Sequence, residues 1–440
     1  MNNQSCLKEF ARYSSLSVLG MLGVSCYILA DTFFISKGLG TNGLASLNLA
    51  IPVYNFIHGC GLMLGMGGAT KFSIFKSQRD FKNMNIVFSN TVYLSAIFAF
   101  VFVMIGLFFS KTLTALLGAD IEIFTMTNTY LKWLLIFAPA FILNNVLLCF
   151  VRNEGNPRLS MLAMIIGSMS NILLDYIFIF SLNMGIFGAV FATGLSPVIS
   201  IAVMLPYSCN KKSDINLVKT KMYSDIVKSN FAIGFPSFVA QLSTGIVIIT
   251  FNTIILKLRG NTGVAAYGVV ANIALVVEAI YTGISQGTQP LISSYYGINN
   301  TKNIRNVLRY AMITMLIISC VIYLSMFIFA EQITEIFNSE SNPQLQYMAT
   351  VGIKLYFTST VFTGFNVIIA IFFTSIEKVL PAHIISLLRG LILIVPMTIL
   401  LSVLWGMTGV WLTYPVTELL VAVIGMVLYR RYRKELYYRK

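Results

Sequence analysis

Twelve windows of about 20 predominantly apolar residues, spread over nearly the whole chain, constrain its fold more than any other feature. They lie at 13–36, 44–70, 86–110, 127–150, 160–181, 185–208, 230–255, 264–292, 306–330, 346–374, 381–404 and 406–430. Only α-helices and closed barrels satisfy their backbone hydrogen bonds inside lipid, and windows of this length suit helices. Charged residues make up only 10% of the chain, against about 25% in soluble domains. The sequence therefore predicts an all-α integral membrane protein with twelve transmembrane helices.

The net charge of +14 is explained by membrane topology. If the N-terminus is cytoplasmic, the predicted inner segments and the adjoining helix ends carry 23 of the 30 lysine and arginine residues. The predicted outer segments carry only four, at Lys37, Lys111, Lys257 and Arg259. This asymmetry follows the positive-inside rule. We therefore predict a multi-pass protein of the cell membrane with both termini in the cytoplasm, and no nucleic-acid partner.

Two sequence matches indicate that the chain is an internal duplication. The segment GTNGLAS at 40–46 matches GNTGVAA at 260–266, and the segment MGIFGAV at 184–190 matches WGMTGVW at 405–411. The offset between the matching segments is nearly the same in both cases, although the two matches lie far apart in the chain. Each half contains six predicted helices, an even number, so both halves enter the membrane in the same orientation. We therefore predict two pseudo-symmetric six-helix bundles, related by an axis along the membrane normal.

The longest polar segment separates the two halves. It runs from 209 to 230 and falls near the middle of the chain. We predict an N-lobe at 1–210 with helices 1–6, a cytoplasmic linker at 211–229, and a C-lobe at 230–440 with helices 7–12. Transporters built from parallel repeats of this kind bind their cargo at the interface of the repeats.

The sequence lacks the motifs of several enzyme classes. It contains neither the P-loop pattern GxxxxGK[ST] nor the zinc-binding pattern HExxH. Its six cysteines have no CxxC spacing and lie mostly in apolar runs, so we interpret them as small hydrophobic residues. We predict that the protein is not an enzyme and has neither catalytic residues nor a bound cofactor.

Two acidic residues of the first half lie inside apolar windows. Asp31, in the first window, and Asp175, in the fifth, are each about 8–9 Å below the outer membrane edge at about 1.5 Å per helical residue. Asn171 precedes Asp175 by one helical turn, and Thr193 in the sixth window lies about 12 Å deep. An aspartate at the centre of a membrane helix costs about 2.5–3.5 kcal/mol on insertion scales, so such residues are candidates for function.

These four side chains form a candidate site for a cation. Their oxygens suit a hard metal cation such as Na⁺. Alternatively, one acid holds a proton, because two carboxylates close together in a low dielectric resist double ionisation. In a third interpretation, each acid makes a helix–helix hydrogen bond and has no further role.

The second half carries a different set of charges within its windows. The positions of the second half that are equivalent to Asp31 and Asp175 in the repeat hold apolar residues, so the two acids have no acidic counterparts there. Instead, Glu278, Arg389 and Glu418 lie about 18–22 Å from the outer surface. Two interpretations fit these residues. Arg389 forms a structural ion pair with one of the glutamates, or the group handles protons or cargo.

Three further polar residues complete the candidates associated with the C-lobe. His58 of the first half occupies the position equivalent to Glu278 in the sequence repeat. Gln241 and Asn272 are candidate inward-facing polar groups. Together with Glu278 and Arg389, they are the candidate residues for proton or substrate binding outside the Asp31 site.

With these features, the chain resembles the multidrug and toxic compound extrusion (MATE) family over nearly its whole length. The resemblance is carried by ADTFFISKGLGTNGLAS (30–46), RNEGNPRLSM (152–161), NILLDYIFI (171–179), GAVFATG (188–194), GISQGTQPLISSYYG (283–297) and GMTGVW (406–411). The resemblance implies an antiporter with an N-lobe, a C-lobe and a central cavity. Such antiporters export small organic cations across the membrane, driven by inward movement of H⁺ or Na⁺.

The resemblance also assigns roles to residues. The N-lobe cation site of the family maps onto Asp31, Asn171, Asp175 and Thr193, where H⁺ or Na⁺ binds. Other branches carry a glutamate in helix 7, whereas the segment 234–245 of this chain has none. Glu278 is therefore the candidate replacement acid in the C-lobe.

The sequence thus favours a cation-coupled antiporter that exports organic cations by alternating access and works as a monomer in the lipid bilayer. One alternative is a lipid-linked saccharide flippase of the same superfamily, which would carry more cationic residues along its cavity. A second alternative, from another class, is an integral membrane enzyme or receptor. It would require catalytic residues clustered at one interface, and the sequence suggests no such cluster.

Overall fold

The computed structural model describes residues 3–208, 213–338 and 341–437. Within these ranges every regular element is helical, which confirms the predicted all-α class. The first half contains α1 (Asn3–Ser77), α2 (Phe81–Phe108), α3 (Ser110–Leu116), α4 (Phe124–Ile136), α5 (Ala138–Glu154), α6 (Pro157–Tyr176) and α7 (Gly185–Ser208). The second half contains α8 (Ser224–Gly297), α9 (Thr301–Ile328), α10 (Ala330–Phe337), α11 (Pro343–Tyr356), α12 (Thr360–Ser375), α13 (Val379–Leu387) and α14 (Ile394–Tyr437). Two π-helical turns lie at Ile177–Ser181 and Leu388–Ile392, and a 3₁₀ turn lies at Phe357–Ser359.

Three of the apolar helical segments contain two membrane spans each: α1, α8, and the segment Val379–Arg433, which includes α13 and most of α14. α1 has 75 residues and α8 has 74, or roughly 110 Å at 1.5 Å per residue, against a hydrocarbon core of about 30 Å. One glycine with non-helical backbone angles divides each long helix: Gly40 in α1, Gly260 in α8 and Gly406 in α14. By length and apolar composition, the described residues form eight candidate spans, or nine when α4 and α5, bent by 47°, form one span. Counting two spans each in α1, in α8 and in Val379–Arg433 raises the nine to the predicted twelve.

The dividing glycines repeat at the offsets found in the sequence. Gly40 has φ 67° and ψ −157°, and its counterpart Gly260 has φ 62° and ψ −156°. Gly185, which begins α7, has φ 60°, and its counterpart Gly406 has φ 56°. Side chains are disfavoured at positive φ, so glycine allows the chain to turn sharply between spans. The two six-helix bundles are therefore pseudo-symmetric in their backbone turns as well as in their sequence.

Helix starts repeat in the same way. α2 and α9 each have 28 residues, and their first residues, Phe81 and Thr301, are equivalent positions of the repeat. The Asp80 carboxylate accepts a hydrogen bond from the Asn83 N–H at 3.1 Å, and the Asn300 side chain accepts one from the N–H of the third residue of α9 at 3.1 Å. Each cap satisfies an N–H group that has no partner within its own helix.

Packing divides the chain into two compact units. The unit that we call the N-unit consists of Ser15–Leu242 and Ser293–Asn299, and the C-unit consists of Met1–Ser14, Ser243–Ile292 and Asn300–Lys440. α1 and α8 therefore each contribute residues to both units. The lobe boundaries at 210 and 230 stay predictions from the sequence.

Residues 213–223 of the predicted linker run along α2 without regular structure, and residues 224–229 belong to α8. The Val218 N–H donates to the Ser89 hydroxyl at 2.8 Å, and the Tyr223 N–H donates to the Asn90 side-chain oxygen at 2.9 Å. These bonds attach residues 213–223 to the N-unit up to the start of α8. Residues 211 and 212 of the predicted linker lie outside the described residues.

Candidate functional site

The four residues of the predicted cation site are all buried within the N-unit. α1 holds Asp31, α6 holds Asn171 and Asp175, and α7 holds Thr193. The exposed fractions are 7% for Asp31, 4% for Thr193, and 0% for both Asn171 and Asp175. Burying a polar group without a hydrogen bond costs about 1–3 kcal/mol by protein mutational data, so the surroundings of these groups decide their role.

Small residues allow α1 to approach α6 on both sides of the acids. A Cβ atom added to Gly20 would lie 2.9 Å from the Met164 sulfur, and one added to Gly38 would overlap the Ile179 side chain. α1 therefore runs beside α6 and the π-helical turn that follows it, from Met164 to Ile179. Asp31 lies between the two glycines in the sequence, and Asp175 lies between their two partners. This packing positions the acids at a similar height along neighbouring helices.

The two acids and Thr193 meet around a tyrosine. The carboxyl groups of Asp31 and Asp175 lie close enough to interact directly. Tyr130 of α4 interacts with both acids and with the Thr193 hydroxyl, which also donates to the Ala189 carbonyl at 3.0 Å. The structure therefore places these three predicted residues in one group. Their role in binding a cation stays a prediction.

Many polar atoms of this group have no hydrogen-bond partner among the described residues. They are Oδ1 of Asp31, both carboxylate oxygens of Asp175, and both the oxygen and the nitrogen of the Asn171 side chain. Asn171 lies one helical turn from Asp175, on the same face of α6. Folded proteins pair nearly all buried polar atoms, so several unpaired atoms at one place indicate a position that a ligand can occupy.

Two tyrosines of α1 extend the group and were not predicted. The hydroxyl groups of Tyr27 and Tyr54 lie 2.8 Å apart, and both residues interact with Asp31. Tyr27 precedes Asp31 by four residues and therefore shares its helical face, a spacing that could have identified it. Tyr54 and Tyr130 come from distant parts of the sequence and had no comparable signal.

His58 lies beside this group in the N-unit. Its Nδ1 is 3.1 Å from the side-chain nitrogen of Asn145, and its ring stacks on Tyr54 with centroids 5.7 Å apart. Gln241 also belongs to the N-unit, and a Cβ atom added to Gly59 would lie 3.2 Å from its Cβ. Neither residue belongs to the unit that contains Glu278, although the sequence grouped the three as candidates.

Arg389 links both glutamates of the C-unit. It lies in the turn Leu388–Ile392, where its Nη2 donates to Glu278 of α8 and its Nε donates to Glu418 of α14 at 2.5 Å. Asn366 of α12 donates to the other oxygen of Glu418 at 2.7 Å. The side chain of Glu418 is 1% exposed, that of Arg389 17%, and that of Glu278 37%. The ion pair anticipated from the sequence therefore includes two glutamates.

Asn272 lies on the same helix as Glu278 and is exposed. It precedes Glu278 by six residues, so the two side chains do not share one face of the helix. A role for Asn272 in binding stays a prediction.

The N-unit group has the chemistry of a cation site. Two carboxylates, an amide and a hydroxyl provide the oxygen atoms that hard cations prefer. Within the described residues, no cluster of three or more histidine, cysteine, aspartate or glutamate side chains could hold a metal ion. Binding of H⁺ or Na⁺ by this group stays a prediction.

Comparison with known proteins agrees with this architecture. The chain is 26% identical to the multidrug export protein MepA of Staphylococcus saprophyticus over 427 residues, which cover 96% of this chain and 93% of that protein. It matches the outward-facing structure of a multidrug resistance MATE family transporter with a TM-score of 0.92 and 26% identity, over 98% of this chain and 96% of the other. It also matches a MOP superfamily transporter from Pyrococcus furiosus, described as having a binding pocket of reverse polarity, with a TM-score of 0.91 and 26% identity, over 98% and 96% of the two chains.

The family model with the description MatE matches twice, at residues 17–177 and 236–400, once in each half of the duplication. These matches cover most of the chain, and the residues that carry the sequence resemblance lie largely within them. The protein thus belongs to the MatE family, the multidrug and toxic compound extrusion transporters that its sequence resembles.

Proposed function

We propose that the protein is an antiporter that exports small organic cations across the cell membrane, with both termini in the cytoplasm. Inward movement of H⁺ or Na⁺ through the Asp31 site provides the energy. The observation that carries this proposal is the set of buried polar atoms without partners on Asp31, Asn171 and Asp175 among the described residues. A cation that enters this group gains oxygen ligands and relieves the cost of burying them.

Cation binding changes the packing of α1 in this mechanism. A cation between Asp31 and Asp175 removes the repulsion between the two carboxylates, and α1 then packs more closely on α6. Gly20 and Gly23 permit α1 to flex during that change, because glycine is conformationally permissive. The altered packing of α1 favours the state that releases cargo outward, and loss of the cation to the cytoplasm restores the first state.

The names of the relatives support export of multiple compounds, since the staphylococcal proteins are multidrug export proteins. The buried N-unit group is acidic, which favours cations over anions. A saccharide flippase would instead need cationic groups to bind a lipid diphosphate. The acidic group therefore favours the antiporter over the flippase.

Transport of a fluorescent cation tests this proposal in cells. We expect Asp31→Asn and Asp175→Asn to abolish ethidium efflux, because the uncharged amides cannot bind the driving cation. Asp225→Asn is the matched control, since Asp225 is exposed in the first turn of α8. Membrane fractions should contain equal amounts of all three variants. Efflux at the unmodified rate by both site variants would falsify the mechanism.

Purified protein in liposomes identifies the driving cation. Dye movement should follow an imposed proton gradient or an imposed sodium gradient, and the Asp175→Asn variant should respond to neither. If neither gradient drives transport by the unmodified protein, coupling through Asp31 and Asp175 is wrong.

A further inference from the structure

One face of α2 is covered by the extended residues 213–223. The Asn216 N–H donates to the Asn85 side-chain oxygen at 2.9 Å, and the Val218 N–H donates to the Ser89 hydroxyl at 2.8 Å. Ser89 is fully buried. Short polar side chains on this face of α2 thus provide hydrogen-bond acceptors for a segment of backbone.

The equivalent face of α9 has a different chemistry. In the sequence repeat, Arg305 stands where α2 has Asn85, and Arg309 stands where α2 has Ser89. Both arginines are exposed, and so is Lys302, which lies one turn before Arg305. Lys302, Arg305 and Arg309 are three and four residues apart, so they share one side of the helix, which we call the basic face of α9. Among the described residues, Lys302 and Arg309 form no ion pair.

The part of the C-unit that is equivalent to the linker has a structure and a charge of its own. In the repeat, residues 213–217 of the linker correspond to residues 433–437, which continue α14 as a helix. This end of α14 exposes Arg430, Arg431 and Arg433, which have the same charge as the basic face of α9. Because like charges repel, the basic face suits an occupant that is negatively charged.

An exposed apolar stripe continues the basic face along α9. Ile313, Leu316 and Leu324 follow Arg309 at helical spacing, and all three are exposed. The 28 residues of α9 extend roughly 42 Å, about the thickness of a bilayer with its headgroup regions. The first turns of α9 therefore lie at the level of the headgroups. Helical side chains lean toward the N-terminus, which brings the Arg309 side chain closer to that level.

We propose that the basic face of α9 binds the phosphate of an anionic phospholipid, whose acyl chains lie along the apolar stripe. Basic residues at the membrane surface attract anionic headgroups, and arginine forms paired hydrogen bonds with phosphate oxygens. The lipid takes the place on α9 that the linker has on α2. This site is separate from the Asp31 site and does not depend on the proposed coupling mechanism.

Native mass spectrometry of the purified full-length protein with added phosphatidylglycerol tests this proposal. We expect the first phosphatidylglycerol to bind about tenfold or more tightly than phosphatidylcholine with the same acyl chains, because the phosphatidylcholine headgroup has no net charge. Glycerol phosphate, which lacks acyl chains, should not displace the lipid at equal concentration. This comparison uses the unmodified protein. Equal binding of the two lipids would overturn the proposal, and displacement by glycerol phosphate would show a site for free phosphate instead.

Variants then locate the lipid. Lys302→Gln and Arg309→Gln should each weaken phosphatidylglycerol binding by about fivefold, the effect of one basic residue at the membrane surface. Lys82→Gln is the matched control, because Lys82 is exposed on α2 at the position equivalent to Lys302, and its binding should be unchanged. Unchanged binding by either Lys302→Gln or Arg309→Gln would contradict the assigned contacts. Equal weakening in Lys82→Gln and Lys302→Gln would show attraction to positive charge in general and reject the site on α9.

Discussion

Each unit of the molecule brings two acidic side chains together, and the surroundings of the two pairs differ. In the N-unit, Asp31 and Asp175 interact with each other and with tyrosines, and neither oxygen of Asp175 has a hydrogen-bond partner among the described residues. In the C-unit, the guanidinium of Arg389 donates to both Glu278 and Glu418. One pair of acids therefore has a permanent cationic partner within the protein, and the other pair has none among the described residues.

This difference separates a stable charge cluster from a site for an exchangeable ion. A guanidinium stays protonated throughout the physiological range, so the C-unit cluster keeps its partner in every state of the protein. The N-unit acids obtain a positive charge only from a cation that enters and leaves. Removing a charged group of the Arg389 cluster should consequently destabilise the protein. Removing Asp31 or Asp175 should not.

Removal of the shared cation is the strongest test of this comparison. We expect Arg389→Met to lower the free energy of unfolding by about 3–5 kcal/mol, because it leaves Glu418 buried and without its cationic partner. Thermal unfolding of the purified protein in detergent measures the effect. Lys354→Met is the control, since Lys354 pairs with Glu331 at 3.7 Å in a partly exposed position, and the change should be below about 1 kcal/mol. Equal effects of the two substitutions would remove the distinction between the clusters.

Replacing one acid of each unit by its neutral amide should destabilise the protein only in the C-unit. Glu418→Gln should lower the free energy of unfolding by about 1.5–3 kcal/mol, because it weakens charge-assisted hydrogen bonds from Arg389 and Asn366. Asp175→Asn should leave stability unchanged or raise it, because a neutral amide is less costly to bury than an unpaired carboxylate. Thermal unfolding at pH 7 without sodium compares the two variants. A loss of stability in Asp175→Asn as large as that in Glu418→Gln would show that Asp175 has a structural partner.

The backbone turns sharpen the comparison, because here the two halves are alike. Gly40→Ala and Gly260→Ala should each cost about 1–3 kcal/mol, since both positions combine a positive φ with a ψ near −157° that only glycine adopts easily. No atom lies within 4 Å of an added Cβ at either position, so the cost arises from the backbone alone. The two melting temperatures should fall by similar amounts. A much larger change in one variant would indicate that the repeat does not extend to these turns.

The sequence was most informative where a backbone conformation or an environment restricts the residue types that can occupy a position. Glycine is nearly the only residue that tolerates the backbone angles at Gly40 and Gly260, so the repeat of the turns is visible in the sequence. The twelve spans were predictable because a lipid environment requires long apolar windows. Both features depend on local properties of the chain.

Contacts between distant helices were less accessible from the sequence. Apolar windows give little information on which helical face meets which neighbour, so Tyr130 could not be placed beside Asp31. For the same reason, the sequence suggested that Arg389 pairs with one glutamate, whereas it donates to two. His58 and Glu278 occupy equivalent positions of the two repeats and differ in chemistry, because the repeat preserves backbone position and not side-chain type; their roles stay predictions.

The smallest expected effect concerns two equivalent helix caps that differ in charge. Hydrogen bonds from Asn83 hold the pKa of Asp80 below its usual value, whereas Asn300 makes the equivalent cap without a titrating group. A lowered pKa in the folded state means that the Asp80 carboxylate stabilises the protein above the pKa of the unfolded chain, and that this contribution disappears as the pH falls through the lowered value. We therefore expect the difference in melting temperature between the unmodified protein and Asp80→Asn to decrease from pH 7 to pH 3.

The Asn300→Ser variant serves as control, because its difference in melting temperature from the unmodified protein should not follow the same pH dependence. A constant difference for Asp80→Asn would indicate that the two caps act alike at every pH.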